Sequence, residues 1–372
     1  MRPMVIIALI LLTIHFGVAT YYYLRNLGWA RNELKPRRNS NDLPRVSIIL
    51  PTYNESNVIL SKLDNIYAQD YPRELMELLV IDSGSTDGTA ALAMKWCSEH
   101  PDLNCRVINE GVRLGKAHAL NEALKHATGD VIVITDADSK WLGNSLRRAV
   151  ELLMSEGVGA VSCVKAPITN NTIESTYRDY YTVLRIGESN RYSTPIFHGE
   201  LAAFRKDLIM RFGGFPTDVG ADDSHMATVL AINGYRALIT RDVVCQELVP
   251  RAVNYHRWRL RRAQHLIQHF IKTITKYGSR IPRGFKEIVY TEFFLHVINP
   301  WVLIAGLALL LIAASQGSIT AASLLGLGAL LAVVVRLFRT WLYTQFILLA
   351  AMIRNMWNRE LVWEKVEKDV AQ

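Results

Sequence analysis

No charged residue occurs from Pro3 to Leu24, and the stretch ends in Tyr21, Tyr22 and Tyr23, amphipathic aromatics suited to the edge of a hydrocarbon layer. This predicts a membrane-spanning helix, an anchor over residues 1–25. A second uncharged stretch runs from Phe293 to Val335, longer than one span needs, and Ser315-Gln316-Gly317-Ser318 divides it into the two arms of a hairpin. The shorter apolar run Trp341 to Ile353 reads as an interfacial or re-entrant helix, with a further transmembrane helix as the alternative. The pattern changes in the middle of the chain. Val46 to Leu50, Leu78 to Ile81, Val131 to Ile134 and Val158 to Val164 are short β-branched runs, as strands buried on both faces require. Helical patterns separate them, such as Lys116 to Ala127, where Ala117, Leu120, Ala123, Leu124 and Ala127 share one face. The expected fold class is α/β with a largely parallel sheet, whose ligands bind beyond the carboxyl ends of the strands.

Charge orients this arrangement. A cleaved signal peptide wants its positive charge before the apolar run, whereas here Arg2 stands alone and Arg25, Arg31, Lys35, Arg37 and Arg38 follow. The positive-inside rule then places the N-terminus outside and the next domain in the cytoplasm, with Arg336 and Arg339 at the same face. The 42 Lys and Arg against 34 Asp and Glu give a formal charge of +8. Ten of those bases lie between Arg251 and Lys286, where there is no Asp or Glu, so the rest of the chain carries 32 bases against 34 acids. The basic residues are a local band, which points to anionic membrane surface and phosphorylated ligands. No helix-turn-helix, zinc finger or aromatic single-strand platform accompanies them, so a nucleic-acid partner is not expected. The resulting organisation is an anchor (1–25), a basic linker (26–45), an α/β domain (46–250), a basic amphipathic interfacial region (251–286), an apolar hairpin with a possible third helix (287–353) and a polar tail (354–372). Cys97, Cys105, Cys163 and Cys245 form no CxxC pair or His/Cys cluster, which leaves a reduced, cytosolic environment as the default and no structural zinc.

The polar residues ending each strand are the candidates for chemistry. The first strand ends in Pro51-Thr52-Tyr53-Asn54-Glu55 and the second in Asp82-Ser83-Gly84-Ser85-Thr86-Asp87, a turn opening a helix that Thr86 or Asp87 can cap. Thr135-Asp136-Ala137-Asp138 ends a later strand. In an extended segment Asp136 and Asp138 point to one side, where two carboxylates repel unless a cation joins them, and hard oxygen ligands suit Mg2+ or Mn2+.

Together these residues resemble the family 2 glycosyltransferases, which use the Rossmann-like GT-A fold, over about Val46 to Gln246. The resemblance implies that Pro51, Tyr53 and Glu55 frame the nucleotide, that Asp82 reads the base, and that Asp136 and Asp138 are the DxD motif carrying metal and diphosphate. Lys116 fits either a phosphate contact at a helix start or a solvated surface lysine. The family places its base in an acidic pair after a Gly-rich turn. Here Gly213-Gly214-Phe215 precedes Asp222-Asp223, so Asp223 matches the base and Asp222 its companion, and one of the two can instead cap a helix over Ser224 to Asn233. Phe197-His198-Gly199-Glu200-Leu201 falls where the family has an acceptor-facing loop, which makes His198 and Glu200 acceptor or diphosphate contacts.

The membrane polymerases of the family carry Gln-x-x-Arg-Trp, and this chain does not. Asn254-Tyr255-His256-Arg257-Trp258 keeps Arg-Trp, and Arg259-Leu260-Arg261-Arg262 follows, so Arg257, Trp258, Arg259 and Arg262 are the candidate acceptor and diphosphate contacts. The same stretch also reads as an amphipathic helix with Leu260, Ala263, Leu266, Ile267, Phe270, Ile271 and Ile274 on its apolar face. The expected activity is inverting transfer from a UDP- or GDP-linked nucleotide sugar to a lipid-linked or polyprenyl-phosphate acceptor at the cytoplasmic face of a plasma or equivalent membrane. A processive polysaccharide synthase and an inactive nucleotide-sugar-binding scaffold are the rivals. The strand-end carboxylates weigh against the scaffold.

Overall fold

The computed structural model describes residues 2–31, 43–166, 172–248, 250 and 252–358. Lys35, Arg37 and Arg38 of the basic linker, Arg251, and the tail from Arg359 onward lie outside the described residues.

The β-branched runs form the expected strands. β1 (Val46–Thr52), β2 (Met76–Asp82), β3 (Asn104–Asn109), β4 (Val131–Ile134), β5 (Ser139–Trp141), β6 (Val158–Ala166), β7 (Ala202–Arg205) and β8 (Arg236–Glu247) make one sheet in the order β3-β2-β1-β4-β7-β6-β8-β5. The sheet is more mixed than expected. β1, β2, β3 and β4 pair in parallel, as do β6 and β8, but β7 runs antiparallel to both β4 and β6, and β5 antiparallel to β8.

Two hydrophobic layers cover the sheet. Alternate residues of the central strands, such as Ile48 and Ile49, face opposite clusters. One face is covered by α2 (Ile59–Tyr67), α3 (Thr89–Glu99) and α5 (Ser145–Leu153), which contribute Leu63, Trp96 and Leu146. The other takes α4 (Lys116–His126), α7 (Lys206–Arg211) and α8 (Asp222–Ile232), which contribute Leu120, Leu208 and Leu230. Cys97 and Cys105 form a disulfide from α3 to β3, which corrects the expectation of reduced thiols, while Cys163 and Cys245 are free and buried.

The apolar stretches form α1 (Arg2–Trp29), then α10 (Arg283–Phe293) running through a π-turn at Phe294–Ile298 into α11 (Asn299–Ser315). Both Arg2–Trp29 and the continuous Arg283–Ser315 are long and apolar enough to cross a membrane. The break falls where the sequence placed it: Ser318 caps α12 (Ile319–Val334) by accepting from Ala321 N–H at 3.3 Å. α12 has 16 residues, about 24 Å of helix against the roughly 30 Å of a bilayer core. It bends by 106° into α13 (Arg336–Asn355), making a broken span or a re-entrant pair. Arg339 donates to the Ala332 and Val333 carbonyls at the end of α12, so it caps that helix rather than simply reaching for headgroups.

α6 (Thr172–Arg191) and α9 (Ala252–Tyr277) join the α/β unit to these helices. Gly187 of α6 meets α1 so closely that a Cβ there would lie 2.5 Å from Asn26 Oδ1, so glycine sets the approach. Polar staples reinforce the junction: Tyr22 donates to Glu188 at 2.7 Å, and Arg185 bridges Glu188 at 2.7 Å and Glu292 at 3.2 Å. α9 does not lie alone on a surface. It packs against α13 through Ala263, Ile267 and Leu348, and it also buries Gln264, His265 and His269, leaving Ile271 exposed.

Candidate active site

The carboxyl ends of β1 and β4 open into a cleft of about 350 Å³, lined by Pro51, Tyr53, Glu55, Lys116, Asp136, Asp138, His198, Glu200, Asp222, Asp223, Trp258, Arg259 and Arg262. Two residues expected there are elsewhere. Arg257 is exposed on α9 and does not line the cleft, because adjacent helical residues differ by about 100° and Trp258 takes the inward position. Asp82 lies behind the wall, buried, with its carboxylate accepting from Thr52 Oγ1 at 3.2 Å, Ser85 Oγ at 2.5 Å and Ser85 N–H at 2.9 Å.

The first two loops are laced together. Asn54 adopts a left-handed conformation (φ 55°), and its Oδ1 accepts from Thr86 N–H at 2.8 Å. Asp87 accepts from Thr89 N–H and from Ser56 N–H, tying the start of α3 to the β1 loop. Asp87 is thus a turn residue, while the N-cap position falls to Gly88 and not to Thr86 or Asp87. Arg113 sits 3.9 Å over the Tyr53 ring, a cation–π contact at the cleft wall that the sequence reading missed.

Asp136 and Asp138 do not lie in a strand. They occupy the turn between β4 and β5, where Ser139 Oγ donates to the Asp136 carbonyl at 2.8 Å and buried Lys62 donates to Ser139 O and Oγ at 3.0 Å. Both still line the cleft. Lys116, the first residue of α4, is no surface lysine: its Nζ lies 2.6 Å from Asp136 Oδ1. Burial pulls its pKa down, but Asp136, Asp222 and Asp223 outweigh burial and hold the ammonium above the ordinary lysine value. Two cleft carboxylates suit a hard cation whose remaining ligands are phosphate oxygens and water. Among the described residues no group of three or more His, Cys, Asp and Glu forms an all-protein cage.

Neither Asp222 nor Asp223 caps α8. Both lie inside its first turn, with Ala221 at the cap. Asp223 Oδ1 accepts from Ser224 N–H, and burial together with Asp222 pushes the Asp223 carboxyl up to about 7 against the pull of Lys116. Burial also raises Asp222, whose Oδ2 has no hydrogen-bond partner.

Gly199 is where these groups converge. An added Cβ would lie 2.7 Å from Lys116 Nζ, 3.2 Å from Asp223 Oδ2 and 3.6 Å from Asp136 Oδ2. The loop holding it is fixed from behind, since Ser162 bonds both His198 O and Leu201 O, and Thr135 and Trp141 donate to Glu200 O at 2.8 and 2.7 Å. Glu200 is buried against Lys165 (2.6 Å) and Arg262 (3.0 Å). Burial works to raise its pKa, but these cations hold it below the ordinary range. Lys165, Arg178 and Arg262 also contact Glu247, and Arg178 and Arg259 pair with Glu174. The sequence reading missed Lys165, Arg178, Glu174 and Glu247. The strand-end rule could have found two of them, because Lys165 and Glu247 close β6 and β8.

The cleft thus brings Asp136, Asp138, Asp222 and Asp223 together with the Lys116 ammonium at the carboxyl ends of parallel strands. The Glycosyl transferase family 2 model matches residues 47–213, and that of Glycosyl transferase family group 2 matches residues 131–357. The chain belongs to the family 2 glycosyltransferases, with the GT-A fold and transferase activity of class EC 2.4. It is similar to the mannosyltransferase PcManGT from Pyrobaculum calidifontis, solved in complex with GDP-Man and Mn2+, at 50% identity and TM-score 0.88 over 95% of this chain and 99% of that one. Among curated relatives, the poly-beta-1,6-N-acetyl-D-glucosamine synthase of Staphylococcus aureus (strain MSSA476) is 26% identical over 69% of this chain and 64% of its own length. The glycosyltransferase AglE of Haloferax volcanii is 27% identical over 55% of this chain and 67% of its own length. The chain thus spans less than two thirds of the length of the synthase it matches.

Proposed function

We propose that the chain is a membrane-bound, inverting, metal-dependent glycosyltransferase that moves a sugar from a nucleotide-sugar donor to a lipid-linked or polyprenyl-phosphate acceptor at the cytoplasmic face. GDP-mannose is the donor we favour, on the 50% identity to a near full-length neighbour holding GDP-Man and Mn2+. The observation that carries the reading is the convergence of Lys116, Asp136 and Asp223 around Gly199.

Pro51, Tyr53 and Glu55 hold the nucleotide, and Asp82 acts on it through the Ser83–Ser85 turn that it braces. Lys116 and the N-terminus of α4 bind the diphosphate. Asp136 and Asp138 would hold Mg2+ or Mn2+, which supplies positive charge against the departing nucleoside diphosphate. Asp223 Oδ2 takes the proton of the attacking hydroxyl as that oxygen bonds to the anomeric carbon from the face opposite the leaving group. Single displacement inverts the centre, so an α-linked donor gives a β-linked product. Asp222 raises the basicity of Asp223, while His198, Glu200, Trp258, Arg259 and Arg262 form the acceptor wall. Burial and Lys165 hold the His198 imidazole neutral, so it orients the acceptor and carries no charge.

The match to a polysaccharide synthase supports a second reading, processive synthesis. Absence of the Gln-x-x-Arg-Trp motif favours single addition. Membranes containing the chain, incubated with labelled nucleotide sugars, extracted for lipid and analysed by mass spectrometry, test both. A lipid carrying one added sugar supports the proposal, a long polymer supports the synthase, and label confined to water-soluble products contradicts both.

A further inference from the structure

One buried side chain reaches the turn of Asp136 and Asp138 from behind. Lys62 lies on α2, the helix that follows the loop of Tyr53 and Glu55, and it is 1% exposed. A lysine is rarely buried so fully unless its ammonium has partners. Here the partners are Ser139 O and Ser139 Oγ, each at 3.0 Å, and the Trp141 ring, whose centroid is 4.6 Å away. Ser139 directly follows Asp138 in the chain. Lys62 itself does not line the cleft.

The direction of the hydrogen bonds fixes what this contact does. An ammonium only donates, so Ser139 Oγ accepts from Lys62 and keeps its single proton for one further partner. That partner is the Asp136 carbonyl at 2.8 Å, with the Glu200 carbonyl, at 3.3 Å, as the alternative. Trp141 Nε1 also donates to the Glu200 carbonyl, at 2.7 Å. Asn65 of α2 pairs with the Trp141 backbone, donating to its carbonyl at 3.0 Å and accepting from its N–H at 2.8 Å. Two polar side chains of α2 therefore grip β5, the short strand into which the Asp136–Asp138 turn runs and against which the Gly199–Glu200 loop is held. Burial draws the Lys62 pKa down to about 8, with Asp136 and Asp138 among the groups that hold it up, so the side chain keeps its charge at neutral pH.

We propose that Lys62 is a positioning residue for metal binding: through Ser139 it sets the backbone that aims the Asp136 and Asp138 carboxylates at a divalent cation. The same contact joins the helix behind the nucleotide loop to the metal turn and to the Gly199–Glu200 loop. This rests on reading Asp136 and Asp138 as the metal-binding pair.

The test measures Mn2+ binding to the full chain in detergent at neutral pH with saturating GDP, free Mn2+ being counted by electron paramagnetic resonance, beside thermal melts. Ser139→Ala removes the relay without changing charge and should raise the Mn2+ Kd about fivefold or more, the effect of one hydrogen bond. Lys62→Met should do the same. That outcome is stringent, because deleting a positive charge near two carboxylates would by itself tighten cation binding. The double variant should lose little more than either single one, since both act through one contact. GDP affinity in EDTA should stay within about twofold throughout, which certifies the nucleotide loops. A lowered Tm with an unchanged or tightened Mn2+ Kd in Lys62→Met would make Lys62 a residue of stability alone and overturn the inference, as would additive losses in the double variant. If Lys62→Met does not fold, Ser139→Ala decides, and an unchanged Mn2+ Kd there overturns it. Asp138→Ala, measured alongside, separates the two claims: if it abolishes Mn2+ binding while Lys62→Met and Ser139→Ala do not, only the role of Lys62 falls, whereas Mn2+ binding intact in Asp138→Ala overturns the metal pair and the inference together.

Discussion

A methyl group at position 199 would enter the space where Lys116 Nζ (2.7 Å), Asp223 Oδ2 (3.2 Å) and Asp136 Oδ2 (3.6 Å) meet. Gly199 is not in the left-handed region, so alanine carries no backbone strain there and the effect of Gly199→Ala is purely steric. The loop cannot retreat, because Thr135, Trp141 and Ser162 hold its carbonyls. The side chains must move instead. Lys116 has to give by roughly 0.8 Å or more to regain ordinary van der Waals separation, and it is pinned to Asp136 at 2.6 Å, so it drags that carboxylate or releases it. A displacement near 1 Å at a reacting centre costs on the order of a hundredfold, so kcat should fall about 10- to 100-fold, or roughly 1.4–2.7 kcal/mol of barrier. Stability should hardly change, since the yielding atom is the end of a long side chain. Initial rates of transfer at saturating donor and acceptor, beside a thermal melt, make the measurement. A kcat within twofold of wild type, or a fall matched by lost folded protein, would refute the proposed convergence at Gly199.

Three further outcomes follow from the same geometry. Chelation with EDTA should abolish transfer and added Mn2+ restore it, whereas Asp138→Ala should stay at least about a hundredfold down in kcat/KM at any Mn2+ concentration. The folded-state pKa of Asp223, about 7, lies above that of an unfolded aspartate. Its contribution to stability is thus complete below about pH 4 and is lost as pH rises to about 7, by up to about 4 kcal/mol; melts of the metal-free chain should show wild type losing ground to Asp223→Asn across that window. The Cys97–Cys105 bridge spans a separation of 8 residues, so reduction should cost about 2.5 kcal/mol in the chain-entropy picture, seen as a lower urea midpoint with activity intact below it.

The strands that carry the site were legible because they are fully buried: β1, β2, β4 and β6 are continuous apolar runs, and a buried parallel strand has no polar face to blur it. β3, with its alternating edge pattern, and the three-residue β5 carry no such run, and the four-residue β7 is too short and small-sided to declare itself. Asp136 and Asp138 were visible as strand-end acids, and Asp222 and Asp223 through the acidic pair that the family resemblance implies after a Gly-rich turn. Arg259, Arg262 and Glu200 were legible as candidates, but the ion pairs of Glu174, Glu200 and Glu247 with those arginines were not, because the partners lie 85, 62 and 15 positions away and join only when α9 docks. Helical geometry would have separated Arg257 from its neighbours: Tyr255, Trp258, Arg259 and Arg262 recur at three- and four-residue spacing and share the inward face, while Arg257 falls outside it.

The central claim, that Asp223 deprotonates a membrane-held acceptor during sugar transfer, is tested most directly by one comparison. Wild-type and Asp223→Asn chains in membranes are given labelled GDP-mannose and Mn2+, and the lipid fraction is weighed by mass spectrometry. The account predicts a glycolipid one sugar heavier with wild type, and a rate lower by about a hundredfold or more with Asp223→Asn at unchanged GDP affinity. Equal lipid labelling by the two chains would contradict it.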